Sequence, residues 1–284
     1  MARIVVTSDL HLGITTEDEL RAMVERIAAE QPDLTVLAGD IGEGLENVRA
    51  CLGMFKALPG QVAVLMGNHD LWTERSDSQE LWDKLLPKAV REAGMIWLED
   101  SVWRGGEADG VAVAGSMCWY DYSAVDPAVP PHDAAWFAEY KGQYNPDAYF
   151  INWQWSDQEA AQALGDALAQ RLQTLEDDAT VRAVMVVTHV PLFRVQMFYK
   201  ADDLRWGTGS AFFGNMTLGD RLLTMRKLRR VISGHTHVGR EGVVDRPGQP
   251  PLPVWVLAAS RGTWTLASTP ATARPACTKR LPPW

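Results

Sequence analysis

The sequence has few cysteines, no long apolar run and no surplus of positive charge, and each absence excludes a class of protein. Cys51, Cys118 and Cys277 are odd in number, widely spaced and outside metal-ligand spacing, so no disulfide framework is implied. They read as free thiols in a reducing compartment, and a cytoplasmic location is expected. No run of about 18 apolar residues occurs, so no membrane helix is expected. The N-terminus offers only Ile4, Val5 and Val6 before Thr7, Ser8 and Asp9, too short for a signal-peptide core. The net charge of −9 argues against the cationic surface that nonspecific binding to nucleic acid or anionic membrane requires. No internal repeat is present.

What is there supports a large core: 284 residues with 46% hydrophobic composition. Short β-branched runs alternate with helical patterns. Strands are predicted at 3–8, 34–38, 62–66, 95–98, 111–116, 182–188, 230–233 and 254–258. The first helix follows a Thr16/Glu19 capping box, with Leu20, Met23, Val24, Ile27 and Ala28 at helical spacing. Further helices are predicted at 45–58, at 78–93 opened by Ser76 or Ser78, and at 157–175 capped by Ser156 and Glu159. Pro87 should kink or split the stretch at 78–93. The pattern is that of an α/β sheet protein.

Residues 117–157 break the rhythm, holding 11 of the 25 aromatic residues together with Pro127, Pro130, Pro131 and Pro146. They read as an insertion, either a lid or an elaborated subdomain. The expected organisation is one domain over 1–267 containing this insertion, followed by a Pro-rich tail, 268–284.

Five of the six histidines stand beside other ligand-type residues directly after an apolar strand. The clusters are Asp9 with His11, Gly39 with Asp40, Gly67-Asn68-His69-Asp70, His189 after Thr188, and Gly234-His235-Thr236-His237. If the extended conformation persists, residues two apart point the same way, so Asp9/His11 and His235/His237 form ligand pairs. Loops at the carboxyl ends of strands line the crevice of open α/β sheets, so clusters spread along the chain can converge there. Any one cluster alone is weak; five in register are not. His132, between Pro131 and Asp133, reads as a surface residue, and Gly219-Asp220 as a turn or helix start.

The donors are oxygen and imidazole nitrogen without thiolate, which suits manganese first, with iron or zinc as alternatives. They exceed the needs of one ion and suffice for two, with Asp40 as the bridging candidate because Gly39 and Gly42 permit close backbone approach. Two ions about 3.5 to 4 Å apart can supply a nucleophile from water at neutral pH and clamp phosphoryl oxygens. His69, beside Asp70, can donate the proton that a leaving alkoxide needs.

In order, Asp9-Leu10-His11, Gly39-Asp40, Gly67-Asn68-His69-Asp70, His189 and Gly234-His235-Thr236-His237 resemble the motif set of the calcineurin-like metallophosphoesterase superfamily. The resemblance implies a four-layer α/β/β/α sandwich of two mixed sheets flanked by helices. It also implies one ion held by Asp9, His11, Asp40 and His237 and a second held by Asp40, Asn68, His189 and His235. His69 would face the phosphate with Asp70 orienting it, and a bridging hydroxide would attack phosphorus. Protein phosphatases of that superfamily follow the second motif with Asp-Arg-Gly; here Ile41, Gly42, Glu43 and Gly44 follow Asp40 instead. The chain therefore looks more like the bacterial phosphodiesterase and small-substrate branches. Any phosphate-binding arginine must come from elsewhere, Arg194 and Arg205 being the nearest in sequence.

The expected function is hydrolysis of a small phosphodiester or phosphomonoester, such as a nucleotide. Trp119, Tyr120, Tyr122, Trp136, Trp153 and Trp155 serve either as stacking rings for it or as core. A nuclease is the alternative, which the net charge disfavours; a noncatalytic metal-binding module would lack ligands that are all present here.

Overall fold

The computed structural model describes residues 2–74, 77–200, 202–260, 263–264 and 267–270, the last segments from residue 259 as strand backbone. Ser76, Cys277 and the tail beyond Pro270 lie outside the described residues. The strands are β1 (Arg3–Thr7), β2 (Leu34–Ala38), β3 (Gln61–Leu65), β4 (Ile96–Trp97), β5 (Val102–Arg104), β6 (Val111–Ser116), β7 (Ala183–Thr188), β8 (Leu228–Ser233), β9 (Arg240–Val244), β10 (Leu252–Val256), β11 (Ala259–Ser260), β12 (Thr263–Trp264) and β13 (Ala267–Pro270). The helices are α1 (Glu17–Ala29), α2 (Gly44–Phe55), α3 (Ser78–Glu80), α4 (Leu86–Glu92), α5 (Ala134–Tyr144), α6 (Asp147–Phe150), α7 (Asp157–Asp177), α8 (Leu204–Gly209) and α9 (Met216–Leu222).

Two mixed sheets result, one ordered β13-β1-β2-β3-β4 and one ordered β5-β6-β7-β8-β10-β9. Alternation within each strand sorts the side chains into three apolar layers. Val5, Leu37, Val62 and Val64 face Leu20, Met23, Ile27, Val48, Leu52 and Val90 of α1, α2 and α4. Ile4, Val6, Val36, Ala63 and Leu65 meet Val111, Val113, Met185, Val187 and Ile232 between the sheets. Ala112, Ala114, Val184, Val186 and Val231 pack on Leu168, Leu172, Leu218 and Leu222 of α7 and α9. This is the four-layer α/β/β/α sandwich, and burial on both strand faces explains why its strands read as continuous apolar runs.

Local chemistry sets the helix limits. The capping boxes Thr16/Glu19 and Ser156/Glu159 both form. The third helical stretch starts differently from expectation: Asp77 caps it, its carboxylate accepting from Gln79 N–H, and Ser78 is the first helical residue. Pro87 has no N–H to give, and the chain before it widens into a π turn, Leu81–Leu85, with Leu86 N–H reaching back to Leu81 C=O. β5, β9 and β13 were not expected from the sequence. They are antiparallel additions at or near sheet edges, with β9 alternating partly buried and exposed.

The insertion joins the first core rather than forming one of its own: Trp119, Tyr120, Tyr122 and Phe137 are buried in the cluster that holds α1 and α2. Its rings are tied by Asp157, whose carboxylate accepts from Trp119 Nε1–H at 2.7 Å, Tyr122 O–H at 2.6 Å and Lys141 Nζ at 2.6 Å.

Glu99, between β4 and β5, joins the two sheets near their carboxyl ends. Its carboxylate accepts the Met117 N–H at 2.7 Å and is also bonded by the Met66 backbone. Burial pushes this carboxyl up to about 7, against the hydrogen bond of Ser116 and the charge of Arg171. The folded protein therefore holds the Glu99 proton more tightly than the unfolded chain, so this contribution to stability is present below pH about 4.5 and is lost as pH rises through about 7. Relative to Glu99→Gln, the wild type should lose about 3 kcal/mol between pH 4.5 and 8. Denaturant melts of both proteins across that range measure it, and parallel pH profiles would remove Glu99 as the cause.

Candidate metal centre

The strands end and the chain turns left-handed. Asp9, His11, Asp40, His235 and His237 all have positive φ, between 47° and 69°. The extended conformation does not persist past β1 or β8, so the expected ligand pairs are made by left-handed turns instead. Asp and His are among the non-glycine residues that tolerate this region best. Backbone bonds lace the turns together, Asp9 N–H to Gly39 C=O at 3.0 Å and His11 N–H to Asp40 C=O at 2.9 Å. The glycines permit the approach: a β-carbon on Gly67 would meet the Asp40 carboxylate, and one on Gly39 the His189 ring.

All seven sequence-nominated ligands converge. His237 Nε2 lies 3.3 Å from Asp9 Oδ1 and 3.1 Å from His11 Nε2, which is 3.6 Å from Asp40 Oδ2. On the other side of Asp40, His189 Nε2 lies 3.3 Å from the same Oδ2, 3.1 Å from Asn68 Oδ1 and 3.2 Å from His235 Nδ1. Donor atoms of Asp9, His11, Asp40 and His237 lie within 4.8 Å of one another, as do those of Asp40, His189 and His235. Asp40 belongs to both groups.

The donor chemistry fits cations. His189 Nδ1 sits 3.1 Å from Ala38 C=O and His235 Nε2 sits 3.0 Å from Phe212 C=O. Each carbonyl can only accept, so those nitrogens carry protons, which leaves the opposite ring nitrogens, His189 Nε2 and His235 Nδ1, as the ones that can ligate a cation once unprotonated. Asp40 is 1% exposed. Burial opposes its ionisation, yet the charges of His189 and His69 hold its carboxyl well below the usual range. Asp40 in turn lifts His189 to about 9 against burial, and burial together with His189 drives His235 down to about 4. Carboxylates and lone pairs packed this closely attract divalent cations.

His69 stands at the edge of this group, its Nε2 3.9 Å from Asp40 Oδ2. Asp70, the expected orienting carboxylate, does not touch the ring. It accepts N–H bonds from Ile41 at 2.8 Å, Gly42 at 2.9 Å and Gly67 at 2.7 Å, and so clamps the two loops that carry Asp40 and Asn68. Burial and the Asp40 charge raise its carboxyl to about 7. The carboxylate on His69 is Glu43, 2.8 Å from Nδ1, which also lies 3.5 Å from His11 Nδ1. Those two histidines hold Glu43 down to about 2, while Asp40 and Glu43 outweigh burial to raise His69 to about 9. The only sequence signal for Glu43 was its place after Asp40, where the protein phosphatases carry another motif.

A cleft of about 380 Å³ opens over the centre. Its aromatic lining is Trp72, Tyr144, Phe212 and Phe213. Of the two readings for the six rings, stacking surface or core, packing supports the second: none lines the cleft, Trp119, Tyr120 and Tyr122 are core, and Trp136, Trp153 and Trp155 pack against that core. Trp72 stacks on His69 with centroids 3.7 Å apart. Arg194 is committed to the Val125 and Ser123 carbonyls and the Tyr199 hydroxyl, and Arg205 lies over the Tyr144 ring at 4.9 Å. Among the described residues, no lysine or arginine lines the cleft. His132 is exposed and stacks on Trp136, and Gly219 and Asp220 lie inside α9.

Comparison with known proteins agrees with this architecture. The chain is 25% identical over 221 residues to the acyl-carrier-protein phosphodiesterase PptH of Mycobacterium tuberculosis, covering 71% of this chain and 64% of that protein. It thus spans less than two thirds of that relative. The crystal structure of phosphopantetheinyl hydrolase (PptH) from Mycobacterium tuberculosis superposes with a TM-score of 0.69 at 20% identity, over 91% of this chain and 89% of the other. A dimetal phosphatase from Danio rerio gives a TM-score of 0.50 at 15% identity, over 94% and 92%. These structural likenesses establish the fold. The sequence profile of the calcineurin-like phosphoesterases matches residues 2–239, so the chain belongs to that family.

Proposed function

We propose that this protein hydrolyses a small phosphodiester, with one divalent cation held by Asp9, His11, Asp40 and His237 and a second by Asp40, Asn68, His189 and His235. The observation that carries this reading is the composition of the cleft: clustered cation ligands at its floor, aromatic rings on its walls and, among the described residues, no lysine or arginine in its lining. A phosphomonoester brings about two negative charges and a diester one, and a wall with no lysine or arginine among its described residues suits the lower charge. Trp72, Tyr144, Phe212 and Phe213 offer rings to a planar or apolar portion of the substrate, a nucleotide-like group included. A phosphodiester carried on a protein, as the name of the mycobacterial relative indicates for that enzyme, falls in the same class. A nuclease reading is disfavoured because a polymer backbone needs a basic track.

Manganese is the proposed metal, with iron or zinc also suited to nitrogen and oxygen donors. Bound ions would acidify water and neutralise phosphoryl oxygens. The protein's own part is proton delivery. Glu43 at Nδ1 fixes the His69 tautomer and favours the imidazolium, and Nε2 faces the centre. In hydrolysis a water oxygen joins phosphorus, the P–O ester bond breaks, and the leaving oxygen takes the His69 Nε2 proton. Trp72 keeps the imidazole plane in place by stacking. Asp70 holds the loops beneath. Buried free thiols at Cys51 and Cys118 accord with the proposed cytoplasmic location, and no described helix is long and apolar enough to cross a membrane.

The direct test is hydrolysis of bis(p-nitrophenyl) phosphate and p-nitrophenyl phosphate by chelator-stripped protein, with manganese, iron, zinc or nothing added back. Activity should return with metal and be at least about tenfold greater toward the diester, a difference of about 1.4 kcal/mol. A faster monoester reaction would replace the diester reading with a phosphatase. Asp40→Ala should lose both ions by elemental analysis; full occupancy would end its bridging assignment. His69→Ala should keep two ions and lose about 10²- to 10⁴-fold in kcat. Glu43→Gln should lower kcat in the wild type but add little to His69→Ala, because both act through one ring. Additive losses would separate Glu43 from proton delivery.

A further inference from the structure

Asp147, the first residue of α6 in the insertion, is 1% exposed. Its Oδ1 accepts from Asn68 Nδ2–H at 2.9 Å and from Trp72 Nε1–H at 2.7 Å, and its Oδ2 accepts from Tyr120 O–H at 2.9 Å. All three donors are uncharged. One carboxylate thus holds both a ligand-type amide and the ring stacked on His69.

The chemistry of an amide makes this contact directional. Asn68 has one acceptor oxygen and one donor NH₂, and an ionised carboxylate can only accept. Asp147 therefore selects the NH₂, which turns Oδ1 to the opposite side, where it lies 3.1 Å from His189 Nε2. With the amide reversed, two oxygens would oppose each other in a buried site, and Asn68 would present a donor to the cation position.

We propose that Asp147 is the positioning residue for the second cation, acting from the insertion through the Asn68 amide and, through Trp72, on the His69 imidazole. The proposal rests on the dinuclear reading above. It gives the insertion a role in the centre beyond covering it: the centre is complete only when α6 is docked, because residues 79 apart in sequence must meet. Among the proposed ligands Asp147 bonds Asn68, which is assigned to the second cation alone, so the ion assigned to Asp9, His11, Asp40 and His237 should not depend on it.

Calorimetric titration of chelator-stripped protein with Mn²⁺ tests this, with circular dichroism to confirm the fold. The wild type must first show two binding steps; a single step would defeat the dinuclear reading itself, independently of Asp147. Asp147→Ala should weaken one step by about 10- to 100-fold, the range for removing an outer partner of a metal ligand, and leave the other unchanged. Asp147→Asn, which can keep an oxygen toward Asn68 and Trp72, should recover most of that loss. Should the alanine variant fail to fold, Asp147→Glu, with its oxygens displaced by one methylene, should show the same selective weakening. Unchanged affinity in a folded Ala or Glu variant, or equal loss at both steps, would overturn the proposal, since general destabilisation cannot single out one ion.

Discussion

A carboxylate removed from water and pressed between histidines is the constraint around which this molecule is built. Asp40 would be costly to bury alone. Its charge persists because His189 and His69 lie beside it, and the site is ready to exchange their protons for metal charge. Keeping the clustered groups within a few ångströms requires five strand ends, those of β1, β2, β3, β7 and β8, to meet, and that requires two parallel-rich sheets packed face to face with their carboxyl ends aligned. The glycines, left-handed turns and backbone bonds between the loops are the local means by which the meeting is achieved.

Much of this was legible in the sequence, for identifiable reasons. Strands buried on both faces leave apolar runs, and the polar residues that end them stand out. Capping boxes at Thr16 and Ser156 announce helix starts by their spacing alone. Other features leave no comparable trace. β9 carries polar residues because one side meets solvent, and β5 is only three residues long. The pairing of Asp9 with His11 was tied to an extended conformation persisting past β1, which it does not; their residue types are those that enter left-handed turns without glycine. Glu43 and Asp147 were invisible as partners because they reach His69 and Asn68 across 26 and 79 residues. Only the docking of loops brings them there.

The insertion shows how composition can point to a segment and leave the role of its atoms open. Its aromatic richness fitted a stacking surface or a core equally. Trp119 and Tyr120 prove to be among the largest fully buried side chains, and two buried carboxylates, Asp147 and Asp157, gather their polar atoms. An aromatic side chain with an N–H or O–H needs a partner when buried, so these rings and acids are mutually required. The rings that line the cleft come from three separate segments, at Trp72, Tyr144 and Phe212–Phe213.

β13 pairs with β1 on the side away from β2, register Arg3 with Pro270 through Val6 with Ala267. β1 is the strand that delivers Asp9 and His11, and without that cover its outer row of amide and carbonyl groups would be open to any passing strand. The covering segment is Ala267-Ser268-Thr269-Pro270, short and closed by a residue with no amide hydrogen to offer a further strand. A chain shortened before this segment would retain every proposed metal ligand and present a sticky border beside them, so its failure would take the form of self-association rather than lost chemistry.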